Sequence, residues 1–135
     1  LAKLLCGLYP PACGRVLLDG EPVTDAAGRA RQQACFAAVF ADDPLFDHLL
    51  GVAPTARSAG PALLARLKLA HKVALQESRF TTTDLSQGQR RRLNLLGALL
   101  EARPILLLDE WAADQDPQFR AIFYDELVPA ARAQG

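Results

Sequence analysis

The chain has little that would mark a membrane-spanning, secreted or nucleic-acid-binding protein. Among its 135 residues, 15 Lys and Arg balance 15 Asp and Glu, so the formal net charge is zero. A neutral chain has no excess positive charge with which to capture nucleic acid or acidic lipid, and no nucleic-acid partner is predicted. Its long charge-free stretches, such as 4–14 and 32–41, are far shorter than the ~20 apolar residues that cross a bilayer.

Cysteine is also scarce, with Cys6, Cys13 and Cys35 far apart in the sequence. An odd number of widely spaced cysteines does not fit a disulfide framework or a metal site, so buried, reduced thiols in a cytosolic environment are predicted. A signal peptide is not indicated, because no apolar run with a small-residue cleavage site follows Lys3. No methionine opens the chain, and helical patterns reach both of its ends. Both ends are therefore expected to be cut from a larger protein.

The chain does contain an alternation of helix-like and strand-like segments. Half of its residues are apolar, which at this length is enough for one domain with a core. An all-apolar strand flanked by helices favours a parallel sheet in an α/β layer fold. The first half predicts a helix from Leu1 to the stop at Tyr9-Pro10-Pro11 and a hairpin over 14–23 with an Asp19-Gly20 turn. It also predicts a helix or loop at 25–33 and a strand in 34–41, which periodicity alone does not distinguish from a short helix. The second half predicts a broken connector over 42–60, an amphipathic helix over 61–75, a loop at 81–84, helix 89–102, strand 105–108 and a mainly helical 117–134.

A polar cluster, Ser86-Gln87-Gly88-Gln89, directly precedes the helix predicted for 89–102. Ser86 and Gln89 have the spacing of a capping box, which stabilises a helix start and needs no ligand. The same helix start also offers unpaired amides, a positive dipole end and, at Gly88, no side chain in the way of a phosphate. The cluster alone leaves both interpretations open.

Three arginines follow the cluster, Arg90-Arg91-Arg92. Consecutive residues on a helix point in three directions, so at most one of them can face an anion bound at the helix start. The others are predicted to lie on a solvated face of the helix.

Two acidic residues, Asp109 and Glu110, follow the four aliphatic residues 105–108. The carboxyl end of a buried strand is the edge at which open α/β sheets bind ligands. An aspartate there can hold Mg²⁺ through water, and the next glutamate can orient or deprotonate an attacking water. The alternative is that the strand ends in acids for solubility, because four aliphatics and two acids are only moderately specific.

Together, these segments resemble the ATP-binding-cassette (ABC) ATPases. Residues 85–89, LSQGQ, resemble the ABC signature motif, and residues 105–110, ILLLDE, resemble the Walker B motif with its catalytic glutamate. Residues 112–116, AADQD, stand where these proteins carry the D-loop. Residues 1–20 look like the helix and hairpin that follow a Walker A motif, so the resemblance spans essentially the whole chain. Within the superfamily, 38–51 and 109–129 are similar to the pyoverdine- and syringomycin-type exporters, in which Trp111 matches a tryptophan in place of the usual proline.

The resemblance implies a fold, a partition of the chain and a set of site residues. The fold is a P-loop NTPase-like cassette fragment of the α/β class, a mainly parallel sheet core plus a helical subdomain. Residues 1–41 and 103–135 are expected in the ATPase core, and 42–102 in the Q-loop connector, helical subdomain and signature helix. ATP and Mg²⁺ are the implied cofactors. The implied roles are nucleotide binding in trans for Ser86, Gln87, Gly88 and Gln89, Mg²⁺ binding through water for Asp109, catalysis for Glu110, and communication across a dimer for Asp116.

Some positions depart from the ABC pattern. Ala41 stands where most of these ATPases have the Q-loop glutamine, and Asp42 matches the residue after it, so this part of the Q-loop is only weakly indicated. Phe46 and Asp47 lie in the segment that normally faces the transmembrane domain, but ordinary packing explains them equally well. No Gly-x-x-x-x-Gly-Lys-Ser/Thr sequence is present. The phosphate-binding loop is expected just before Leu1 and the switch histidine just after Gly135; His48 and His71 are interpreted as surface or connector histidines.

By this resemblance, the full-length protein is expected to hydrolyse ATP and export a cyclic peptide or siderophore-like compound from the cytoplasmic face of a bacterial inner membrane. The expected partners are a second nucleotide-binding domain, in a head-to-tail dimer, and a transmembrane domain fused upstream. The fragment alone is expected to be inactive. One alternative is a soluble ABC ATPase acting on DNA or ribosomes, which the neutral charge disfavours. A non-catalytic interaction domain is a further alternative, disfavoured by the intact signature and Glu110.

Overall fold

The longest element of the structure is helix α5, Gln87–Glu101. The computed structural model describes residues 1–133. Leu93, Leu96 and Leu100 of α5 are buried, as the helical spacing of these leucines predicts. The helix ends where Ala102 adopts a left-handed conformation, with φ of 49°, two residues before Pro104. The predicted helix is therefore confirmed, with a start two residues earlier than expected.

The other elements surround α5. They are α1 (Ala2–Leu5), β1 (Leu17–Leu18), β2 (Glu21–Pro22), α2 (Ala26–Ala34), β3 (Phe36–Val39), α3 (Pro54–Arg57), α4 (Gly60–Arg66), β4 (Leu75–Gln76), β5 (Arg79–Phe80), β6 (Ile105–Leu108), a 3-10 turn (Trp111–Asp114), α6 (Pro117–Ile122), a π-helical turn (Phe123–Leu127) and α7 (Val128–Arg132). The helical prediction for 117–134 thus holds through Arg132, and its expected end at Gly135 lies outside the described residues. Within residues 1–133, every helix is too short or too polar to cross a membrane.

The strands pair two by two. β3 and β6 are parallel, with Phe36 opposite Ile105 and Val39 opposite Leu108. β1 and β2 form the predicted hairpin, and its turn residues Asp19 and Gly20 have φ of 52° and 85°, as a type I′ turn requires. β4 and β5 form a second antiparallel pair. The parallel pair with helices packed on it confirms the α/β class.

The core lies where α5 packs on β3 and α4. Dispersion and the removal of apolar surface from water stabilise this contact. The buried side chains come from β3, the connector, α4 and the segment after it, β5, α5, the 3-10 turn, α6 and the π-helical turn, so one core joins β3 to the connector and the helices. Its members are Ala37, Val39, Leu49, Val52, Leu64, Leu67, Leu69, Val73, Phe80, Leu93, Leu95, Leu96, Ala98, Leu100, Trp111, Phe119, Phe123 and Leu127.

The first helix is shorter than predicted. It ends at Leu5, and the left-handed residue that stops it is Gly7, with φ of 71°, and not Tyr9-Pro10-Pro11. The amide of Leu8 donates to the carbonyl of Lys3 at 2.9 Å, and that of Gly7 to Leu4 at 3.0 Å. These two bonds form a Schellman motif, for which glycine is the preferred left-handed residue.

The helix predicted for 61–75 is wrong beyond Arg66. Lys68 adopts φ of 57°, its amide donates to Ala65 at 3.0 Å, and the amide of Leu69 donates to Leu64 at 2.8 Å. This is again a Schellman motif, with buried Leu64 and Leu69 forming its usual apolar contact. Lysine in place of glycine hides the stop from the sequence. Leu75, counted as helical in the prediction, lies in β4.

Two burial predictions also need correction. Only Cys6 of the three cysteines is buried, and burial raises the pKa of its thiol; Cys13 is exposed and Cys35 half-buried. Strand β6 is less buried than an all-apolar run suggests, with Ile105 45% exposed. Among the described residues β6 has β3 as its one neighbouring strand, so its other edge is not covered by pairing.

The connector 42–60 is fastened to the β4–β5 hairpin at Asp47. The amide of Phe80 donates to the Asp47 carbonyl at 2.8 Å, and the Asp47 carboxylate accepts a hydrogen bond from Arg79 and pairs with Nδ1 of His48 at 2.5 Å. These two partners lower the pKa of Asp47 to about 2. His48 is therefore a connector histidine, as predicted, and His71 is exposed.

This arrangement predicts a pH-dependent contribution of Asp47 to stability. The pKa of Asp47 in the folded chain lies below its unfolded pKa of ~3.9, so the ionised carboxylate stabilises the fold at pH values above ~3.9. This stabilisation is lost as the pH falls towards the folded pKa of about 2. The substitution Asp47→Asn should lower the thermal midpoint at pH 6, with a difference from the wild type that shrinks between pH 4 and pH 2.

Thermal unfolding of the chain across this pH range measures the effect. The exposed Asp125 provides a matched control, and Asp125→Asn should show no comparable dependence on pH. A constant difference between Asp47→Asn and the wild type from pH 6 to pH 2 would contradict the assignment.

Candidate functional site

The start of α5 has the predicted capping box. The Ser86 Oγ accepts from the amide of Gln89 at 3.4 Å, and the Gln89 Oε1 accepts from the amide of Ser86 at 3.2 Å. The amides of Gln87 and Gly88 precede the first intrahelical hydrogen bonds, so they point away from the helix as donors. The helix start is thus both well capped and able to bind an anion.

Gly88 has no room for a side chain. A Cβ at this position would lie 2.8 Å from the carbonyl oxygen of Asp114, closer than any ordinary contact. The carbonyl of Gly88 also accepts a hydrogen bond from Nε2 of Gln115 at 3.1 Å, and Nε2 of Gln87 donates to the Asp114 carboxylate at 2.8 Å. The residues resembling the signature therefore lie directly against those resembling the D-loop of the same chain.

Arg92 holds this segment by three contacts. Its Nε donates to Oε1 of Gln115 at 2.8 Å, and its guanidinium pairs with the Asp116 carboxylate at 2.5 Å. The guanidinium carbon also lies 3.7 Å from the centre of the Phe119 ring, a cation–π distance. The Arg92 side chain is only 11% exposed.

Arg91 lies beside it and is equally buried, at 11% exposure. Its guanidinium pairs with the Asp114 carboxylate at 2.7 Å. The prediction of a solvated face is thus wrong for Arg91 and Arg92 and right only for the exposed Arg90. The reason is geometric: Arg91 and Arg92 stand three and four residues after Gly88, on the helix face that the segment 110–116 covers.

Asp116 acts as the N-cap of α6. Its Oδ1 accepts from the amide of Phe119 at 2.8 Å while its Oδ2 binds Arg92. The hydrogen bond from Phe119, and then Arg92, lower the pKa of Asp116. The Asp116 side chain is 54% exposed, so this carboxylate is oriented but not buried.

Asp109 and Glu110 lie where predicted, at the carboxyl end of β6. The Asp109 amide donates to the Val39 carbonyl at 3.0 Å, which extends the parallel pairing by one residue. Glu110 then turns the chain with φ of 51°, and its carbonyl accepts from Arg91 at 2.9 Å. Within residues 1–133 neither carboxylate accepts a hydrogen bond from protein, and three metal-binding side chains do not cluster. The carboxylate of Asp109 could hold Mg²⁺ through water, because this ion keeps several water ligands and prefers oxygen donors.

Trp111 stabilises the turn that contains Glu110. It is 2% exposed and its Nε1 donates to the carbonyl of Arg91 at 2.9 Å. Its ring lies 4.4 Å from Phe123 and 6.2 Å from Phe119, measured between centroids. The tryptophan therefore fixes Glu110 between α5 and the C-terminal helices.

The Q-loop positions are exposed. The Ala41 carbonyl accepts from Arg91 at 3.4 Å, and the Asp42 carboxylate lies 3.5 Å from Nζ of Lys3. Phe46 is 52% exposed. Beside it a groove of about 270 Å³ runs between the connector and α5, lined by residues that include Leu49 and Asn94.

The structure thus brings most predicted site residues into one hydrogen-bonded cluster, with Glu110 joined through its backbone and Ser86 at the edge. Sequence reasoning missed four members of that cluster: Arg91, Arg92, Asp114 and Gln115. The sequence signal that points to them is a pair of acids, at 114 and 116, that matches a pair of adjacent arginines, at 91 and 92.

The parallel strand pair, the acidic pair at its carboxyl end and the capped glycine of α5 define an ATP-binding cassette domain with the P-loop NTPase fold. A bacterial Atm1-family ABC exporter with ATP bound has the same fold, with a TM-score of 0.73 at 22% identity over 96% of this chain and 25% of that one. Residues 1–113 match the family described as ABC transporter, and the chain belongs to that family.

Two relatives match along essentially the whole chain. The ATP-binding protein SyrD of Pseudomonas syringae pv. syringae is 48% identical over 140 residues, which cover 100% of this chain and 24% of SyrD. The mycobactin import ATP-binding/permease protein IrtB of Mycobacterium tuberculosis (strain ATCC 25618 / H37Rv) is 32% identical over 146 residues, covering 99% of this chain and 25% of IrtB. The chain therefore spans about a quarter of the length of these relatives.

The contact at Gly88 predicts a clear difference between two glycines of α5. Alanine is favoured over glycine in a helix by ~1 kcal/mol, and Gly97 has room for it, because a Cβ there would lie 3.7 Å from Leu49. Gly97→Ala should therefore leave the free energy of unfolding unchanged or raise it. Gly88→Ala should lower it, because the new methyl group meets the Asp114 carbonyl.

Urea unfolding of the two variants measures the difference, and Gly97→Ala serves as the matched control on the same helix. Equal stability of the two variants would show that segment 110–116 does not lie against Gly88.

Proposed function

We propose that the complete protein hydrolyses ATP to export a cyclic peptide or siderophore-like compound across a bacterial inner membrane, with this domain at the cytoplasmic face. The observation that carries the ATPase part is the direct contact between the signature-like start of α5 and the segment that follows Asp109 and Glu110. The cargo class rests on the resemblance of 38–51 and 109–129 to the syringomycin-type exporters, and the 48% identity to SyrD supports it. IrtB is named for import, so the direction of transport rests on that resemblance.

In this proposal the start of α5 binds the γ-phosphate of a nucleotide held by a second, head-to-tail domain. Ser86 contributes its hydroxyl, Gln87 and Gly88 contribute their free backbone amides, and Gln89 holds Ser86 in place through the capping box. The positive end of the helix dipole favours the phosphate charge. The exposed position of Ser86 and Gln87 leaves this end accessible to a partner domain.

The acidic pair serves the nucleotide bound to its own domain. Asp109 would hold Mg²⁺ through water, and the ion would supply charge neutralisation at the phosphates. Glu110 orients and deprotonates the attacking water as a general base. Its carboxylate accepts no hydrogen bond within residues 1–133, which leaves it available for that proton. Asp116, oriented by Arg92 and the amide of Phe119, faces the partner domain.

The connector is the proposed contact with a transmembrane domain fused upstream. Exposed Phe46, together with the Ala41–Asp42 segment, borders the groove between the connector and α5. Asp47 joins this region to β5 by a backbone hydrogen bond. A movement of the connector is therefore transmitted to the core through defined hydrogen bonds. Residues 1–41 and 103–135 form the ATPase core in this proposal, and 42–102 form the connector, helical subdomain and signature helix.

The substitution Glu110→Gln in the complete protein tests the catalytic assignment. Glutamine keeps the shape but not the base, so ATP affinity should persist while turnover falls by ~10²-fold or more. The control is Glu126→Gln at an exposed position outside the site, which should keep wild-type turnover. Steady-state hydrolysis and equilibrium nucleotide binding measure the two effects, and unchanged turnover in Glu110→Gln would remove the residue from this role.

The 135-residue chain alone should neither bind ATP with micromolar affinity nor hydrolyse it. It contains no Gly-x-x-x-x-Gly-Lys-Ser/Thr sequence, the element that surrounds the phosphates with backbone amides and a lysine. Isothermal titration of the purified chain with MgATP measures this. A micromolar dissociation constant would contradict the proposal that the main phosphate-binding loop lies outside these 135 residues.

A further inference from the structure

Arg91 joins three segments that are far apart in the sequence. Its Nη1 donates to the carbonyl of Glu110 at 2.9 Å, and its Nη2 pairs with the carboxylate of Asp114 at 2.7 Å. The same Nη2 lies 3.4 Å from the carbonyl of Ala41. One side chain therefore ties the end of β3, the turn after β6 and the D-loop-like segment to the first turns of α5.

The backbone of Glu110 needs such support. Its φ of 51° lies in the left-handed region, which residues other than glycine, asparagine and aspartate seldom adopt. A residue is held in this conformation only when its surroundings fix it. Arg91 binds both sides of the turn: its side chain takes the Glu110 carbonyl, and its own carbonyl accepts from the indole of Trp111 at 2.9 Å.

The planar fork of the guanidinium explains why arginine occupies this position. Two carbonyls and a carboxylate around one nearly buried side chain require several donors in fixed directions, which a lysine ammonium does not provide. Nε of Arg91 is buried without a hydrogen-bond partner among the described residues.

Arg92 makes a different set of contacts. It binds Gln115 and Asp116, so it orients the D-loop-like residues and not the backbone of Glu110. Arg90, the preceding residue, is exposed. The three arginines therefore have three separable positions, and Arg91 is the one in contact with the residue proposed as the base.

We propose that Arg91 is the positioning residue for Glu110, fixing its strained backbone and coupling it to the Q-loop position Ala41. This inference rests on the proposed ATPase function. Ala41 lacks a side chain that could reach the reacting groups, so the link between the end of β3 and the acidic pair runs instead through its carbonyl and Arg91. Loss of Arg91 should then misplace the Glu110 carboxylate without removing any group that binds nucleotide.

The test uses the complete protein with Arg91→Ala, Arg91→Lys and the matched control Arg90→Ala. The value of kcat should fall by at least ~10-fold in Arg91→Ala while KM for ATP changes by less than ~3-fold, since a transition-state contribution is lost and binding is kept. Arg91→Lys retains the charge near Asp114 but not the fork, and its kcat should lie between those of Arg91→Ala and the wild type. Arg90→Ala should match the wild type.

Hydrogen–deuterium exchange provides a readout that does not need activity. Backbone amides in a peptide covering 109–114 should exchange about 10-fold faster in Arg91→Ala than in the wild type. Exchange of the amides of α5 should stay unchanged. Unchanged exchange and unchanged kcat would overturn the inference, as would faster exchange along the whole chain, which would mark a general structural role. Should Arg91→Ala fail to fold, Arg91→Lys carries the same comparison. An inactive wild-type protein would refute the proposed ATPase, while the exchange result would still decide whether Arg91 holds the turn.

Discussion

The close approach of segment 110–116 to the start of α5 is the constraint on which the rest of the site depends. The Asp114 carbonyl occupies the space of a Cβ at Gly88, so the two backbones meet with nothing between them. From that contact, the i+3 and i+4 positions of the helix, Arg91 and Arg92, necessarily face the same segment. The positions of Glu110 and Asp116 follow, because each is held by one of these arginines.

The charges of Arg91 and Arg92 constrain this contact. Each arginine side chain is 11% exposed, and a nearly buried charge is costly if left unpaired, since it requires a partner and hydrogen bonds. Asp114 and Asp116 supply the opposite charges, and backbone and side-chain oxygens supply the remaining acceptors. Ion pairs of this kind add little net stability over an apolar contact.

The parts of this structure that follow local rules could be predicted from the sequence, and those that depend on distant partners could not. The S-x-x-Q spacing gave the capping box, Asp19-Gly20 gave the hairpin, and the run 105–108 gave a strand with its acids at the carboxyl end. Lys68 is different, because a lysine in a left-handed conformation carries no local signal of a helix end. No local rule predicts the burial of Arg91 and Arg92, because it depends on acids more than twenty residues away in the sequence; the matching pair of acids at 114 and 116 is its only signal.

The short distance along α5 between the two proposed functions has a physical consequence. Ser86 and Gly88 bind phosphate from the partner domain in this proposal, and Arg91, less than one turn after Gly88, holds the backbone of Glu110. A rise of ~1.5 Å per residue places these positions within ~5–8 Å along the axis. If the proposed sites are correct, a displacement of the helix start by a bound phosphate would move Arg91 and with it the backbone of Glu110. Linkage is reciprocal, so strain at Glu110 that opposes this displacement would also weaken binding of the partner's phosphate. The two proposed half-sites would then be coupled through one turn of helix.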